Sequence, residues 1–427
     1  MRNHQIEKRK SMKKILLQLF LATTCVAGAH AADLTKPHAY VNPTGKEFPI
    51  MAWYSVPGSD ATTQRYKEMR EAGFNLSFRG MDNADVLGKA LDASKGTGVK
   101  IMASCNEMFE NTAKVVNRFK GHESLGGWFL IDEPQVPQFK SLADYAKRIR
   151  TADDSHVLYL NLFPYPFNGK NAEKEAPAYG AKSYVDYVRQ FIDTVKLGLV
   201  SFDMYPVVTN GGYLHLKPEY YHCLEVISAE ARRAGQPFWA FSLATPHHTY
   251  ESQYPLPTRE HVRLQIFSDL AYGAQGIQYF TYWNPGHADF EYDNAAITDG
   301  RRTEMYDIIS ELNHEVQRLS WVFLGAKVTD VSHTGDSIAW RTKPLKSLPA
   351  QFKEVSTSGS DVIVSQLTNG SNRFLMVVNA DIVARQKVTV VADESVERVL
   401  PSGKTVKASC YKPQLWLNPG DYLLFKY

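Results

Sequence analysis

LGGWFLIDEP at residues 125–134, a helical segment at 141–152 and VLYLNLFP at 157–164 together decide the fold. The first and last are apolar runs of strand length, and Pro134 closes the first, so the unit reads strand, helix, strand. Apolar residues fill these runs instead of alternating with polar ones, as expected of parallel strands buried on both faces.

The same unit repeats on either side. Upstream lie PIMAWYSV (49–56), NLSFRG (75–80) and KIMASC (100–105), each followed by a helical-period stretch, at 62–74, 84–94 and 112–120. Downstream lie LGLVSFDMYP (197–206), PFWAFSLAT (237–245) and GIQYFTYW (276–283). A helix with Tyr184, Val188, Phe191 and Val195 on one face precedes them, and helices follow them at 219–234, 258–274 and 303–324. Eight strand–helix pairs predict a (β/α)8 barrel over residues 49–325, close to the usual size of about 250 residues. Neither GxGxxG nor GxxxxGK[ST] follows the first strand, which argues against a doubly wound nucleotide-binding sheet. After Gly325 short strand-like runs appear at 337–342, 361–367, 373–378, 387–391, 398–400 and 422–427. Turn signals such as Asn369-Gly370 and Asn418-Pro419-Gly420-Asp421 separate them, so a small antiparallel β-sandwich is expected over 326–427.

Residues 1–31 read as an export signal, and 32–48 as a lead-in to the barrel. Arg2, Lys8, Arg9, Lys10, Lys13 and Lys14 face one acid, Glu7; an apolar run covers 15–26, and Ala29-His30-Ala31 is an A-x-A cleavage site. Cys25 follows Thr24, where a lipoprotein signal carries Gly, Ala or Ser, so a periplasmic or extracellular protein without a lipid anchor is expected. Without that basic segment the chain is slightly acidic, which excludes a nucleic-acid footprint. No later run has the length of a membrane-spanning helix. With 44% hydrophobic and 22% charged residues in 427, the composition is that of a globular protein. Cys105, Cys223 and Cys410 form no disulfide framework and read as buried thiols, with Cys105 at a strand end; no cofactor or metal is implied.

A barrel of this kind carries its chemistry where strands end. Those ends hold Tyr54, Arg79, Cys105 with Glu107, Asp132-Glu133, Asn161, Asp203 with Tyr205, Ser242, His247-His248 and Tyr282-Trp283. Glu133 closes an apolar run beside aromatics, a setting that raises a carboxyl pKa and suits a general acid. Arg79 in a barrel mouth either holds a catalytic carboxylate, grips substrate or pairs with Asp82 at the rim. Aromatic residues at the mouth, Trp283 above all, suit stacking on sugar rings. The expected substrate contacts are Tyr54, Arg79, Asp132, Asn161, Tyr205, His247, Tyr282 and Trp283.

This constellation resembles the clan A glycoside hydrolases over residues 49–325. That clan carries Arg ending strand two, Asn-Glu ending strand four, Tyr near the end of strand six, Glu ending strand seven and Trp on strand eight. Arg79, Glu133, Tyr205 and Trp283 fall on matching positions; the Asn position is Asp132, and strand seven, FWAFSLA (238–244), has no carboxylate. The nucleophile implied by the resemblance is therefore missing from its place, and Glu251 lies six residues past the notional strand end. The resemblance implies glycoside hydrolysis of an oligo- or polysaccharide. A retaining mechanism needs carboxyls about 5 Å apart and an inverting one about 6.5–9.5 Å. Strands four and six are not adjacent, so the inverting pair is expected to be Glu133 as acid and Asp203 as base, with Asp132 or Glu107 as other bases. Two alternatives remain: a glycan-binding barrel without turnover, and a metal-dependent sugar isomerase using Glu107, Glu133, Asp203 and His247 as ligands.

Overall fold

The structure, a computed structural model, describes residues 33–166, 177–249, 252–286 and 290–427. The expected export signal at 1–31 and Glu251 lie outside those residues. Eight parallel strands form the barrel: β1 (Ile50–Trp53), β2 (Leu76–Phe78), β3 (Lys100–Ala103), β4 (Leu125–Asp132), β5 (Val157–Asn161), β6 (Val200–Phe202), β7 (Phe238–Leu243) and β8 (Ile277–Phe280). Their order runs β5-β4-β3-β2-β1-β8-β7-β6, and the Leu162 N–H donates to the Ser201 carbonyl at 2.8 Å to join β5 to β6.

The helices are α1 (Thr63–Glu71), α2 (Ala84–Ser94), α3 (Thr112–Phe119), α4 (Phe139–Ala152), α5 (Tyr184–Val195), α6 (Tyr220–Arg233), α7 (Arg259–Ala271) and α8 (Glu304–Arg318). Side chains fix several starts: Asn83 Oδ1 accepts the Asp85 and Val86 N–H groups, Ser183 accepts from Asp186, and Thr258 with His261 makes a capping box. Met51, Leu76, Phe78, Met102, Phe129, Val157, Tyr159, Leu199 and Trp239 fill the barrel interior, so it is a packed core rather than a pore. Trp239 fits because position 276 is glycine; a Cβ there would lie 2.6 Å from the indole.

The C-terminal sandwich pairs a six-stranded sheet (327–334, 362–369, 372–379, 422–426, 397–399, 405–407) with a three-stranded one (352–357, 386–392, 414–417). Residues 337–342, expected as a strand, are a turn instead. The Asp361 carboxylate accepts the Ala339 N–H at 3.1 Å and Arg341 adopts φ 55°, both incompatible with a ladder. The first strand is Lys327–Thr334, hidden in sequence because a bulge between Val328 and Asp330 breaks the two-residue period. The strands at 352–357, 405–407 and 414–417 also went unread.

The sandwich packs on α7, which is buried continuously from His261 to Ala271. Arg263 donates from Nη1 and Nη2 to Glu315 (2.7 and 3.1 Å) and from Nε to Asp421 (2.9 Å), while Tyr422 OH donates to Glu315 at 2.8 Å. Ser365 Oγ donates to the Ala271 carbonyl at 2.6 Å, and Tyr221 OH to that of Ala380 at 3.0 Å. No helix among the described residues is long and apolar enough to cross a membrane.

Candidate active site

At the C-terminal ends of the strands lies a cavity of about 690 Å³. Its floor is a layer of rings that the strands turn inward: Trp53, Phe78, Phe129, Phe241 and Phe280, with the Trp53 ring centre 5.0 Å from that of Phe78, 5.8 Å from Phe241 and 5.9 Å from Phe280. A second cavity of about 780 Å³ opens at the opposite end of the barrel against the sandwich, and among the described residues no carboxylate lines it. The acidic residues of the strand ends lie in the first.

Two backbone features aim residues into the mouth. The β4–β5 register shifts between Phe129 and Asp132, and Glu133 then takes φ 47°, its N–H donating to the Asn161 carbonyl at 2.9 Å. Tyr54, at the end of β1, has φ 49°. A left-handed conformation costs a non-glycine residue about 1–2 kcal/mol, and such strain concentrates at functional sites.

Asp132, Glu133 and Asp203 share the cavity. Burial first, then the charges of Asp203 and Asp132, holds the Glu133 carboxyl well above the ordinary glutamate range. Burial and the Asp203 charge push Asp132 up to about 7, although its carboxyl is open to cavity solvent. Asp203 is raised by burial, an effect offset in part by a 2.8 Å hydrogen bond from Asn161 Nδ2 and by the Lys217 charge. A hydrogen-bonded chain orients that amide from below: Tyr159 OH donates to Gln278 Oε1, Gln278 Nε2 to Ser201 Oγ, and Ser201 Oγ to Asn161 Oδ1 at 3.1 Å. Asn161 thus presents its N–H group, not its oxygen, to Asp203.

Over the mouth folds a small sheet the sequence did not announce, of strands 247–248, 253–254, 207–210 and 213–216. It seats Tyr254 on the His247 ring (4.6 Å, interplanar 28°) and Tyr205 edge-on to both. His247 is buried, its Nδ1 lies 3.0 Å from the Thr245 carbonyl, and burial lowers its pKa.

Of the expected site residues, Tyr54, Arg79, Asp132, Glu133, Asn161, Asp203, Tyr205 and His247 line this cavity, and Tyr282 and Trp283 do not. Strand β8 ends at Phe280, so the Phe280 ring takes the place on the cavity wall. Tyr282 turns outward onto Phe74 (5.3 Å), fully buried, and Trp283 packs beneath the Arg65 guanidinium (5.2 Å). Glu107 likewise does not line the cavity; its Oε2 accepts the Ala84 N–H at 2.9 Å at the start of α2. That removes it from the proposed metal set, and no group of three or more His, Cys, Asp or Glu among the described residues is placed to hold an ion. Cys105 is buried away from the cavity, its thiol pushed up to about 11 by burial; Cys410 is exposed, not buried. Sequence reasoning missed Phe78, Phe129, Phe241, Phe280, Tyr254 and Tyr292; the inward phase of the four phenylalanines was the available signal.

Residues 176–321 match a family model described as beta-galactosidase, Glyco_hydro_42. The match covers about a third of the chain and includes Asp203, Tyr205 and His247 but not Glu133. No protein of curated function matches the sequence. Among solved structures, a beta-galactosidase from Bacillus circulans sp. alkalophilus superposes with TM-score 0.57 at 10% identity, over 89% of this chain and 99% of that one. A family 39 glycoside hydrolase from the gut symbiont Bacteroides cellulosilyticus WH2 gives 0.51 at 10% identity, over 90% and 81%. An Anoxybacillus alpha-amylase gives 0.50 at 10%, over 91% and 98%. The sequence match falls on the second half of the barrel, and the fold is shared with these solved structures.

Proposed function

We propose that the protein is an exported glycoside hydrolase acting on an oligo- or polysaccharide, with Glu133 as general acid and Asp203 as general base. The observation that carries this reading is Glu133 itself, turned by its left-handed backbone into an aromatic-floored cavity it shares with Asp203 and Asp132. Protonated Glu133 gives its proton to the glycosidic oxygen as that bond breaks. Asp203, held by Asn161, takes a proton from the water that attacks the anomeric carbon from the other face, which inverts the configuration. Afterwards the proton on Asp203 passes to solvent and Glu133 is reprotonated, so the cycle closes. The rings of Trp53 and Tyr205 supply flat apolar faces for the sugar.

One observation favours a second reading, a barrel that binds glycans without turnover. At the end of β7 the cavity wall is Phe241, and Ser242, Leu243 and Ala244 beside it are buried. The test is a screen of the mature chain against plant and host polysaccharides, with product anomers followed by NMR. Glu133→Gln is expected to lower turnover at least about a hundredfold. Equal turnover in that variant removes Glu133 from the mechanism. Glycan binding without any cleavage by the native chain establishes the second reading.

A further inference from the structure

Arg79 follows β2 inside the same cavity, and its guanidinium makes no ion pair with a carboxylate among the described residues. The Tyr54 ring lies beneath it, with Cζ 4.3 Å from the ring centre, and Nη1 donates to the Ser55 carbonyl at 3.1 Å. Among the described residues no carboxylate approaches within 4.0 Å, so the rim pair with Asp82 is absent although Asp82 lines the cavity too. Nor does Arg79 restrain a catalytic group: Asp132, Glu133 and Asp203 act on one another, while the charges that reach Arg79 come from Tyr54, Asp82 and Asp60. A guanidinium has five N–H donors in a planar fork. Here one is engaged, the side chain is half-buried, and the Tyr54 ring lies against its guanidinium carbon. Such a fork matches a bidentate anion far better than it matches a neutral hydroxyl.

The geometry points to an anionic substituent on the substrate, a uronate carboxylate or a sulfate ester, seated on Arg79 while the scissile bond lies at Glu133. The proposal rests on the glycan-cavity reading above, and it makes the substrate an acidic oligo- or polysaccharide. Strand β2 lies two strands from β4 and four from β6 around the barrel, so the cation and the acid cluster occupy different sectors of one cavity. A sugar laid across it meets a positive end and a proton-exchanging end.

Binding separates this claim from turnover. Glu133→Gln protein, in which cleavage is expected to be suppressed, is titrated calorimetrically with three matched oligosaccharides of glucose and galactose type: neutral, uronate-bearing and sulfated. An acidic ligand is expected to bind roughly ten- to a hundredfold more tightly than its neutral match, the range for a charge-assisted bidentate contact. The uronate and sulfated arms identify the anion. Adding Arg79→Gln is expected to erase the difference, and Arg79→Lys to keep only part of it, with unchanged thermal melting reporting that both fold. Asp82→Asn, an exposed position, is expected to tighten the acidic ligand a few-fold by removing a competing charge. Neutral and acidic ligands binding alike, or acidic binding that survives Arg79→Gln, overturns the proposal. Neutral glycan hydrolysed by the native chain would leave the hydrolase reading standing without it; acidic glycan held through Arg79 and never cleaved would do the reverse.

Discussion

Replacing Asp132 by Asn tests the electrostatics of the mouth without removing the proposed acid or base. The Asp132 carboxyl is pushed from the ordinary aspartate value of 3.8 up to about 7, chiefly by burial and then by the Asp203 charge. A carboxyl whose folded pKa exceeds its unfolded one binds its proton more tightly when folded. It therefore leaves stability untouched below about pH 4 and lowers it progressively as pH rises towards 7, a deficit that persists above. Unscreened, that span corresponds to about 4 kcal/mol. Asp132 is open to cavity water, so screening reduces the expectation to about 1–2 kcal/mol. In urea denaturation, Asp132→Asn should be more stable than the native chain at pH 8 by about that amount and equal to it at pH 4. The same change removes one of the two charges that raise Glu133, so the alkaline limb of the kcat/KM profile should move to lower pH. A variant destabilised at pH 8, or stabilised equally at both pH values, refutes the reasoning.

Three other outcomes are expected. Asp203→Asn should cut turnover at least about a hundredfold, and the native acid limb should lie above the ordinary aspartate range, since a base fails as pH falls through its raised pKa; a limb near pH 4 counts against Asp203. Glu315→Ala strips a buried guanidinium of its bidentate partner, so the urea midpoint should fall by an equivalent of about 3 kcal/mol, and a neutral result would mean that Asp421 alone satisfies Arg263. Gly127→Ala places a Cβ 2.5 Å from both Val157 Cγ1 and the Val157 carbonyl oxygen inside the barrel, costing about 1–3 kcal/mol by thermal or urea unfolding; native stability in that variant would mean β4 and β5 can shift apart.

The barrel was legible because its strands are apolar on both faces and its helices carry apolar residues at helical spacing, such as Tyr184, Val188, Phe191 and Val195, all buried in the structure. Glu133, Asp203, Arg79 and Asn161 could be placed at the mouth from strand ends alone. Tyr282 and Trp283 could not, because sequence gives no sign that β8 stops at Phe280 and turns the next rings outward. The sheet roofing the mouth escaped for another reason: its strands at 247–248 and 253–254 are two residues long, below any periodicity. In the sandwich, one bulge at Val328 hid a strand, and an acceptor 22 residues away, Asp361, decided that 337–342 would not be one.

The clasp around Arg263 has a consequence for how the chain is made. Its acids arrive in sequence order 52 and 158 residues after it, with Glu315 first and Asp421 much later. A nascent chain thus completes all eight strands while α7 still presents an unsatisfied guanidinium nitrogen and the face destined for Ser365 and Tyr422. Final closure of that side of the barrel waits on residues 365 to 422, and a polypeptide halted before 421 would hold a full toroid yet offer chaperones and proteases a loose outer helix.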